Sequence, residues 1–197
     1  ADEESDKERY NTVFSRIPGA VAAPTASLNL TEDILSRIED KGAKVVKVDL
    51  RVGWGTFAPI REENIEDHKI HEEQICIGKE TANTINEAIS KGKRILAFGT
   101  TVARTLESVA KKDEASGKYS VNAYEGKTDL YIYPGYQWKI ISILVTNYHM
   151  PDSSLILLVS SFAGIENIKN AYQHALDNGY KFLSYGDSML IGDNLIK

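Results

Sequence analysis

The sequence predicts an α/β fold, namely a layered α/β/α domain with a mostly parallel sheet. Two patterns indicate this class. Short runs with apolar residues at every second position, the period of a strand, alternate along the chain with longer runs of helical period. The connections between these runs are short, and strands and helices that alternate in this way are typical of a parallel sheet covered by helices.

The first half of the chain carries signals for three helices and two strands. Thr31 is a helix N-cap because two acids follow it, and Gly42 provides the stop. The run V-V-K-V-D-L-R-V alternates apolar and polar positions, as a strand does. In order, the predicted elements are a helix between Thr31 and Gly42, a strand at 45–52, a helix at 80–91, a strand at 94–98 and a helix opened by G-T-T at 99–112.

The second half begins with a polar, turn-rich stretch that predicts a surface excursion at 111–124. Apolar strand patterns and one further helix follow it. In order, these are strands at 129–133 and 139–146 on either side of a Pro-Gly turn, a buried-looking stretch at 154–164, a helix at 165–177 and a last strand at 180–185.

Composition favours a soluble globular protein in a reducing compartment. Apolar residues make up 42% of the chain and charged residues 26%. The single cysteine, Cys76, excludes an internal disulfide framework and suits the cytoplasm. The longest apolar run, 155–159, is too short to span a bilayer, so we expect no membrane partner. The net charge of −5 argues against binding nucleic acid through bulk charge, although a local basic patch stays compatible with it.

Ligands of open α/β sheets bind beyond the carboxyl ends of the strands. The polar, glycine-containing strand exits are therefore the candidate sites. They are 53–57, 99–101, 146–149 and 185–187.

The G-T-T sequence offers backbone N–H groups, two hydroxyls and the positive end of a helix dipole, which together suit an anionic group. The alternative is a simple helix cap. Arg104 lies about one turn into this helix, where it reaches such an anion or forms an ordinary surface pair with Glu107.

Two motifs contain histidine. His68 and His71 lie three residues apart, but the alternating Q-I-C-I after them predicts a strand start, which breaks the spacing that a zinc site on a helix needs. With four histidines and one cysteine in the chain, we expect no metal. In T-N-Y-H, Asn147 and His149 share strand parity, so we expect them on the same side, as a polar site or as a capped turn.

Seven segments form a further pattern. They are G-A-V-A-A-P-T-A-S-L (19–28), V-G-W-G-T-F (52–57), H-K-I-H-E-E (68–73), G-T-T-V-A-R-T-L-E (99–107), T-D-L-Y-I-Y-P-G-Y (128–136), T-N-Y-H-M-P (146–151) and Y-G-D-S-M-L-I (185–191). Together and in this order they resemble the S-adenosylmethionine:tRNA ribosyltransferase-isomerases of queuosine biosynthesis, the QueA family, from about residue 9 to residue 191.

The resemblance implies a reaction. The family transfers and isomerises the ribosyl part of S-adenosylmethionine onto a 7-aminomethyl-7-deazaguanine at the wobble position of tRNA, giving epoxyqueuosine and releasing adenine and methionine. S-adenosylmethionine is consumed as a co-substrate, and no cofactor or metal is implied. The implied partners are S-adenosylmethionine and the tRNA anticodon stem-loop, in the cytoplasm.

The chemistry implied by the resemblance needs a base near the sulfonium and an acid for the leaving adenine. The catalytic candidates are His68, His71, His149 and Asp187. The substrate-binding candidates are an aromatic-bearing loop near the sulfonium (Gly53, Gly55, Thr56 and Phe57, with Trp54 beside them), an anion cradle for the methionine carboxylate (Gly99, Thr100, Thr101 and Arg104) and groups for the deazaguanine (Asp129, Asn147 and Tyr148).

The resemblance also implies a domain plan. The family's N-terminal part and its β-barrel insertion precede the position where this sequence starts, so we expect them to be missing here. Residues 1–9, nearly all charged, are then a linker or frayed start, and residues 10–197 are an α/β catalytic-type domain. The chain is the C-terminal portion of a larger enzyme or a shortened relative, and an open sheet edge would need the missing part or self-association.

Four positions depart from the family pattern. Asn29 and Arg51 replace histidines, and Ala58 and Asp152 stand where basic residues are common. Lost imidazoles remove proton carriers, and lost cations weaken phosphate binding. The alternative function is therefore a diverged, non-catalytic module that binds S-adenosylmethionine, a nucleoside or tRNA.

Overall fold

The chain has a mixed α/β fold in the computed structural model, which describes residues 25–51 and 60–195. Its helices arise from amphipathic runs and its strands mostly from alternating ones. The helices are α1 (Glu32–Asp40), α2 (Lys79–Ser90), α3 (Thr100–Ser108), α4 (Ser154–Ala163) and α5 (Ile165–Asp177), with 3-10 turns at Thr25–Asn29 and Ile65–Asp67. The strands are β1 (Asp49–Arg51), β2 (Glu73–Ile77), β3 (Leu96–Phe98), β4 (Ala110–Lys112), β5 (Tyr119–Val121), β6 (Tyr124–Thr128), β7 (Ile143–Asn147) and β8 (Ser188–Gly192).

The strands form three sheets, ordered β1-β2-β6, β3-β7-β8 and β4-β5. The α/β class is confirmed, but the expectation of a mostly parallel sheet is wrong for the part of the chain that the structure describes. There, β3 and β7 pair in parallel, and every other pair is antiparallel. For example, the chain leaves β7, passes through two helices and then turns at 180–187, so that β8 runs back along β7 in the opposite direction.

Helix ends follow the signals in the sequence. The Thr31 hydroxyl accepts the Ile34 N–H at 3.2 Å, as an N-cap should. The buried-looking stretch after residue 153 is a helix, which the Ser153 hydroxyl caps. Gly164 separates α4 from α5 with φ of 88°, a conformation that glycine adopts without strain.

Three predicted strands have different bounds because side chains and turns take their backbone groups. The strand at 139–146 begins only at Ile143, since the Glu107 carboxylate accepts the N–H groups of residues 139–141. No strand forms at 129–133, where Arg104 binds the Leu130 carbonyl. Residues 180–185 form a turn instead of a strand, with Leu183 at φ of 69°, and the strand follows at β8.

Strand pairing also changes the predictions for the helix at 99–112 and for the surface excursion at 111–124. The helix expected to run to residue 112 ends at Ser108, because Ala110–Lys112 pairs with Tyr119–Val121. The expected surface excursion is thus largely a β-hairpin that leads into β6. Both changes follow from cross-strand pairing, which local helical periodicity does not report.

The main core joins the helices to the β3-β7-β8 sheet and extends to buried residues of β2 and β5. Ala97 and Leu144 face it from the strands, and Ala103, Leu158 and Ile168 face it from the helices. Within the ranges 25–51 and 60–195, no helix is long and apolar enough to cross a membrane.

Candidate functional site

The carboxyl ends of β3 and β7 lie side by side, because the two strands pair in parallel with Phe98 opposite Val145. The Gly99 N–H continues this pairing by donating to the Val145 carbonyl at 2.7 Å. The antiparallel β8 starts at the same edge, with Ser188 opposite Asn147. Three of the four segments predicted as strand exits, 99–101, 146–149 and 185–187, therefore meet at one edge of the sheet, which we call the strand-exit edge. The first two do leave strands, whereas 185–187 leads into β8.

One side of this edge is a network of amides and hydroxyls around Asn147, whose side chain is 3% exposed. Its Oδ1 accepts the Thr25 hydroxyl at 3.3 Å. The Asn29 amide donates to the Gly186 carbonyl at 3.4 Å and to the Ser188 hydroxyl at 3.1 Å. In the sequence, Asn29 stands out only as a departure from the family pattern, and Thr25 is not a candidate. Thr25 nevertheless lies within the family-like segment 19–28, and Asn29 directly follows that segment.

The Y-G-D turn at this edge depends on a close backbone approach. A Cβ on Gly186 would lie 2.4 Å from the Lys181 carbonyl oxygen, so only glycine fits. Asp187, a predicted catalytic residue, accepts the Lys181 N–H on its carboxylate at 2.7 Å and donates its own N–H to the Lys181 carbonyl. The carboxylate thus closes the turn and stays exposed at the edge.

His149 lies on the opposite side of β7 from Asn147, so the expectation that the two point the same way is wrong. The strand ends at Asn147, and the imidazole folds back so that Nε2 lies 2.9 Å from the Thr146 hydroxyl. The His149 N–H donates to the Tyr172 hydroxyl at 2.7 Å. Burial lowers the pKa of His149 to about 4, and the imidazole is therefore neutral at pH 7.

Tyr148, a predicted stacking residue, points into the core. Its ring is 4.9 Å from the ring of Phe182 and 5.2 Å from that of Tyr172, centroid to centroid. Burial is the main cause that raises the pKa of its hydroxyl. In this arrangement the ring packs between neighbouring aromatics, and stacking on a nucleobase would require it to leave them.

Arg104 and Glu107 are both buried, so the surface pair considered for them is wrong. Arg104, 2% exposed, forms an ion pair with Glu73 through Nη1 and donates Nε–H to the Leu130 carbonyl at 3.0 Å. Burial lowers the pKa of Arg104, and the Glu73 charge opposes this effect. Its Nη2 has no hydrogen-bond partner among the described residues. The guanidinium therefore faces β2, and its role at the start of α3 stays a prediction.

The remaining polar candidates, His68, His71 and Asp129, lie near the start of β2, which belongs to a different sheet from β3, β7 and β8. His68 Nδ1 donates a hydrogen bond to the Glu62 carboxylate, 2.9 Å away, and this contact is the main cause that lowers the pKa of Glu62. The ring of His68 meets that of Tyr131 at 5.5 Å. His71 directly precedes β2 and Asp129 directly follows β6, and both are exposed. By sheet, the four catalytic candidates thus form two groups, with His149 and Asp187 at the β3-β7-β8 sheet and His68 and His71 ahead of β2.

Gly53, Gly55, Thr56 and Phe57 lie outside the described residues, as do Trp54 and Ala58. The residues on either side of segment 52–59 pair with different parts of the fold. Arg51 pairs with Gln74 in β2, and the Ile60 N–H donates to the Asp152 carbonyl at 2.7 Å, just beyond T-N-Y-H. The flanks therefore reach both groups of candidates.

Metal ligation has no support in the described part of the chain, where no three His, Cys, Asp or Glu side chains converge. The strand-exit edge instead offers amides, hydroxyls, a neutral imidazole, one exposed carboxylate and the first turn of α3. Such groups can orient a polar ligand, and the helix start favours an anionic part of it.

Two comparisons with known proteins agree. A family model described as "Queuosine biosynthesis protein" matches residues 2–191. The crystal structure of an S-adenosylmethionine tRNA ribosyltransferase from Thermotoga maritima matches with 36% sequence identity and a TM-score of 0.67. The match covers 84% of this chain and 51% of that one, so this chain spans about half the length of the solved relative.

Proposed function

The chain belongs to the queuosine biosynthesis protein family, and from that premise we propose that it acts as an S-adenosylmethionine:tRNA ribosyltransferase-isomerase. The reaction would move the ribosyl part of S-adenosylmethionine onto 7-aminomethyl-7-deazaguanine in tRNA. Adenine and methionine would leave, and epoxyqueuosine would remain in the tRNA. The observation that carries this proposal is that three family-like segments, far apart in sequence, meet at the strand-exit edge.

The groups at this edge support specific roles. The first turn of α3, entered at Gly99, suits the methionine carboxylate because helix N-termini favour anions. Asn147 offers an amide for the edge of a base, and the exposed Asp187 carboxylate offers a proton acceptor. His149 is a weak base when buried, which favours a hydrogen-bonding role for it over proton removal.

The proposed partners follow from the same reaction. S-adenosylmethionine would be a consumed co-substrate, without a separate cofactor, and the macromolecular substrate would be the anticodon stem-loop of a tRNA. A tRNA substrate implies a cytoplasmic protein. Since the chain is acidic overall, with a net charge of −5, we expect tRNA to bind through a local surface and with strong salt dependence.

Adenine release tests the proposal. The purified chain is incubated with S-adenosylmethionine and a tRNA that carries the aminomethyl-deazaguanine, and adenine is measured by chromatography. A tRNA with guanine at the wobble position is the substrate control. Asn147→Ala is compared with Asn170→Ala, since Asn170 lies exposed on α5 and away from the edge.

We expect adenine only with the modified tRNA, and a much lower rate for Asn147→Ala than for Asn170→Ala. Binding of S-adenosylmethionine without adenine release would contradict the transferase and favour the non-catalytic module. Equal rates for the two variants would remove Asn147 from the site.

A further inference from the structure

Thr146 is buried in the core face of β7 and is 1% exposed. Buried hydroxyl groups nearly always find a hydrogen-bond partner. The contact of Thr146 Oγ1 with His149 Nε2, at 2.9 Å, is the one that the described residues provide for this hydroxyl. Nε2 is the acceptor that the described residues provide for the hydroxyl hydrogen, so the arrangement in which the O–H donates and Nε2 accepts leaves no buried donor unsatisfied.

A neutral imidazole has one protonated and one unprotonated nitrogen. If Nε2 accepts from Thr146, the proton resides on Nδ1. Among the described residues no hydrogen bond engages His149 Nδ1, and Nδ1 is not one of the fully buried atoms that lack a partner, so it keeps some contact with solvent. An accessible Nδ1–H is a hydrogen-bond donor, not a base.

We propose that Thr146 is a positioning residue that holds His149 in its neutral Nδ1–H tautomer, so that His149 donates a hydrogen bond to the substrate and does not remove a proton from it. The Tyr172 hydroxyl completes the arrangement by accepting the His149 main-chain N–H at 2.7 Å, which fixes the backbone from which the ring projects. The tautomer rests on satisfying the buried hydroxyl of Thr146, and its consequence for turnover rests on the proposed function.

The surroundings of the ring keep it neutral. Burial alone lowers the pKa of His149, and no charged group in the described residues acts on it. Tyr172, which packs on this segment from α5, is itself neutral because burial raises its pKa to about 12. A neutral donor near a leaving base or a developing negative charge stabilises it without a prior proton transfer.

Nitrogen-15 NMR tests the tautomer directly, because long-range correlations to the ring protons distinguish the protonated nitrogen from the unprotonated one. The chain has four histidines, and the His149 signals are assigned by their loss in His149→Gln. The wild type should show the Nδ1–H pattern at pH 7. Thr146→Val, which removes only the hydroxyl, should shift the population to Nε2–H, whereas Thr146→Ser should retain Nδ1–H.

Thr105→Val is the matched control. Thr105 is also fully buried, and its hydroxyl donates to the Thr101 carbonyl within α3, so the same change there leaves His149 untouched. In the adenine-release assay, Thr146→Val should lower kcat by about 100-fold with little change in KM, as for the loss of one preorganised donor, and Thr146→Ser should recover most of the rate.

An Nε2–H pattern in the wild type, or an unchanged tautomer in Thr146→Val, would overturn the proposal. If the wild type releases no adenine, the proposed transferase activity fails, while the NMR spectrum still decides the tautomer. A lower rate in Thr146→Val that Thr146→Ser does not recover would assign Thr146 a packing role only.

Discussion

Two single residues at the strand-exit edge determine the charge of its imidazole and the tight path of its main chain. His149 is uncharged because it is buried, and Gly186 lets the chain pass within contact distance of the Lys181 carbonyl. The motifs that contain these residues stand out in the sequence. The directions of their side chains cannot be predicted from the sequence in the same way. Side chains alternate between the two faces only while a strand continues, and β7 ends at Asn147, before His149.

The neutral His149 predicts a pH dependence of stability. The pKa of a histidine in the unfolded chain is about 6.5, and in the folded protein it is about 4, so the unfolded chain binds more protons between these values. Stability should therefore be complete above pH 6.5 and fall as the pH drops toward 4, by about 2 to 3 kcal/mol from this residue. Urea denaturation of the wild type and His149→Gln at pH 7 and pH 4.5 measures it. A loss of the same size in both proteins would contradict the prediction.

Gly186→Ala should destabilise the protein by a few kcal/mol, because its Cβ would overlap main-chain atoms that cannot move like a flexible side chain. Thermal unfolding followed by circular dichroism measures the change. Gly78→Ala is the control, since a Cβ at Gly78, just before α2, meets nothing within 4 Å. Similar melting temperatures for the two variants would show that the turn relaxes without cost.

At the scale of elements, buried charged side chains bind main-chain groups and link elements that are far apart in the sequence. The Glu107 carboxylate takes three main-chain N–H groups ahead of β7, and Arg104 links α3 to β2 through Glu73. Helix starts such as Thr31 could be predicted, because capping is local in sequence. The Arg104–Glu73 pair could not, since 31 residues separate the partners and Glu107, three residues from Arg104, was the obvious local candidate.

Removing one partner of the buried pair should be more harmful than removing both. Arg104→Met removes the arginine charge that faces the buried Glu73 carboxylate, which should lower the free energy of unfolding by about 3–5 kcal/mol. The double variant Arg104→Met with Glu73→Leu should recover a substantial part of this loss. Denaturant unfolding of the wild type, both single variants and the double variant gives the coupling energy. Additive losses would show that the two charges do not stabilise each other.

At the scale of the molecule, the candidate residues fall into two groups on two different sheets. His149 and Asp187 lie at the edge of the β3-β7-β8 sheet, and His68 and His71 lie near the start of β2. The flanks of segment 52–59 reach both groups, at Gln74 and at Asp152. The α/β class and two of the strand exits, 99–101 and 146–149, could be predicted from the sequence. The antiparallel pairings could not, because strand direction depends on contacts between distant segments.

The central claim is that this chain, which spans about half of its solved relative, transfers the ribosyl part of S-adenosylmethionine. The most direct test supplies tRNA carrying the aminomethyl-deazaguanine with S-adenosylmethionine labelled either in the ribosyl carbons or in the methyl group. The account predicts that the ribosyl label enters the tRNA and that the methyl label leaves with methionine. Methyl label in the tRNA would contradict it. So would the absence of label in the tRNA from both labelled forms of S-adenosylmethionine, if S-adenosylmethionine binds to the chain.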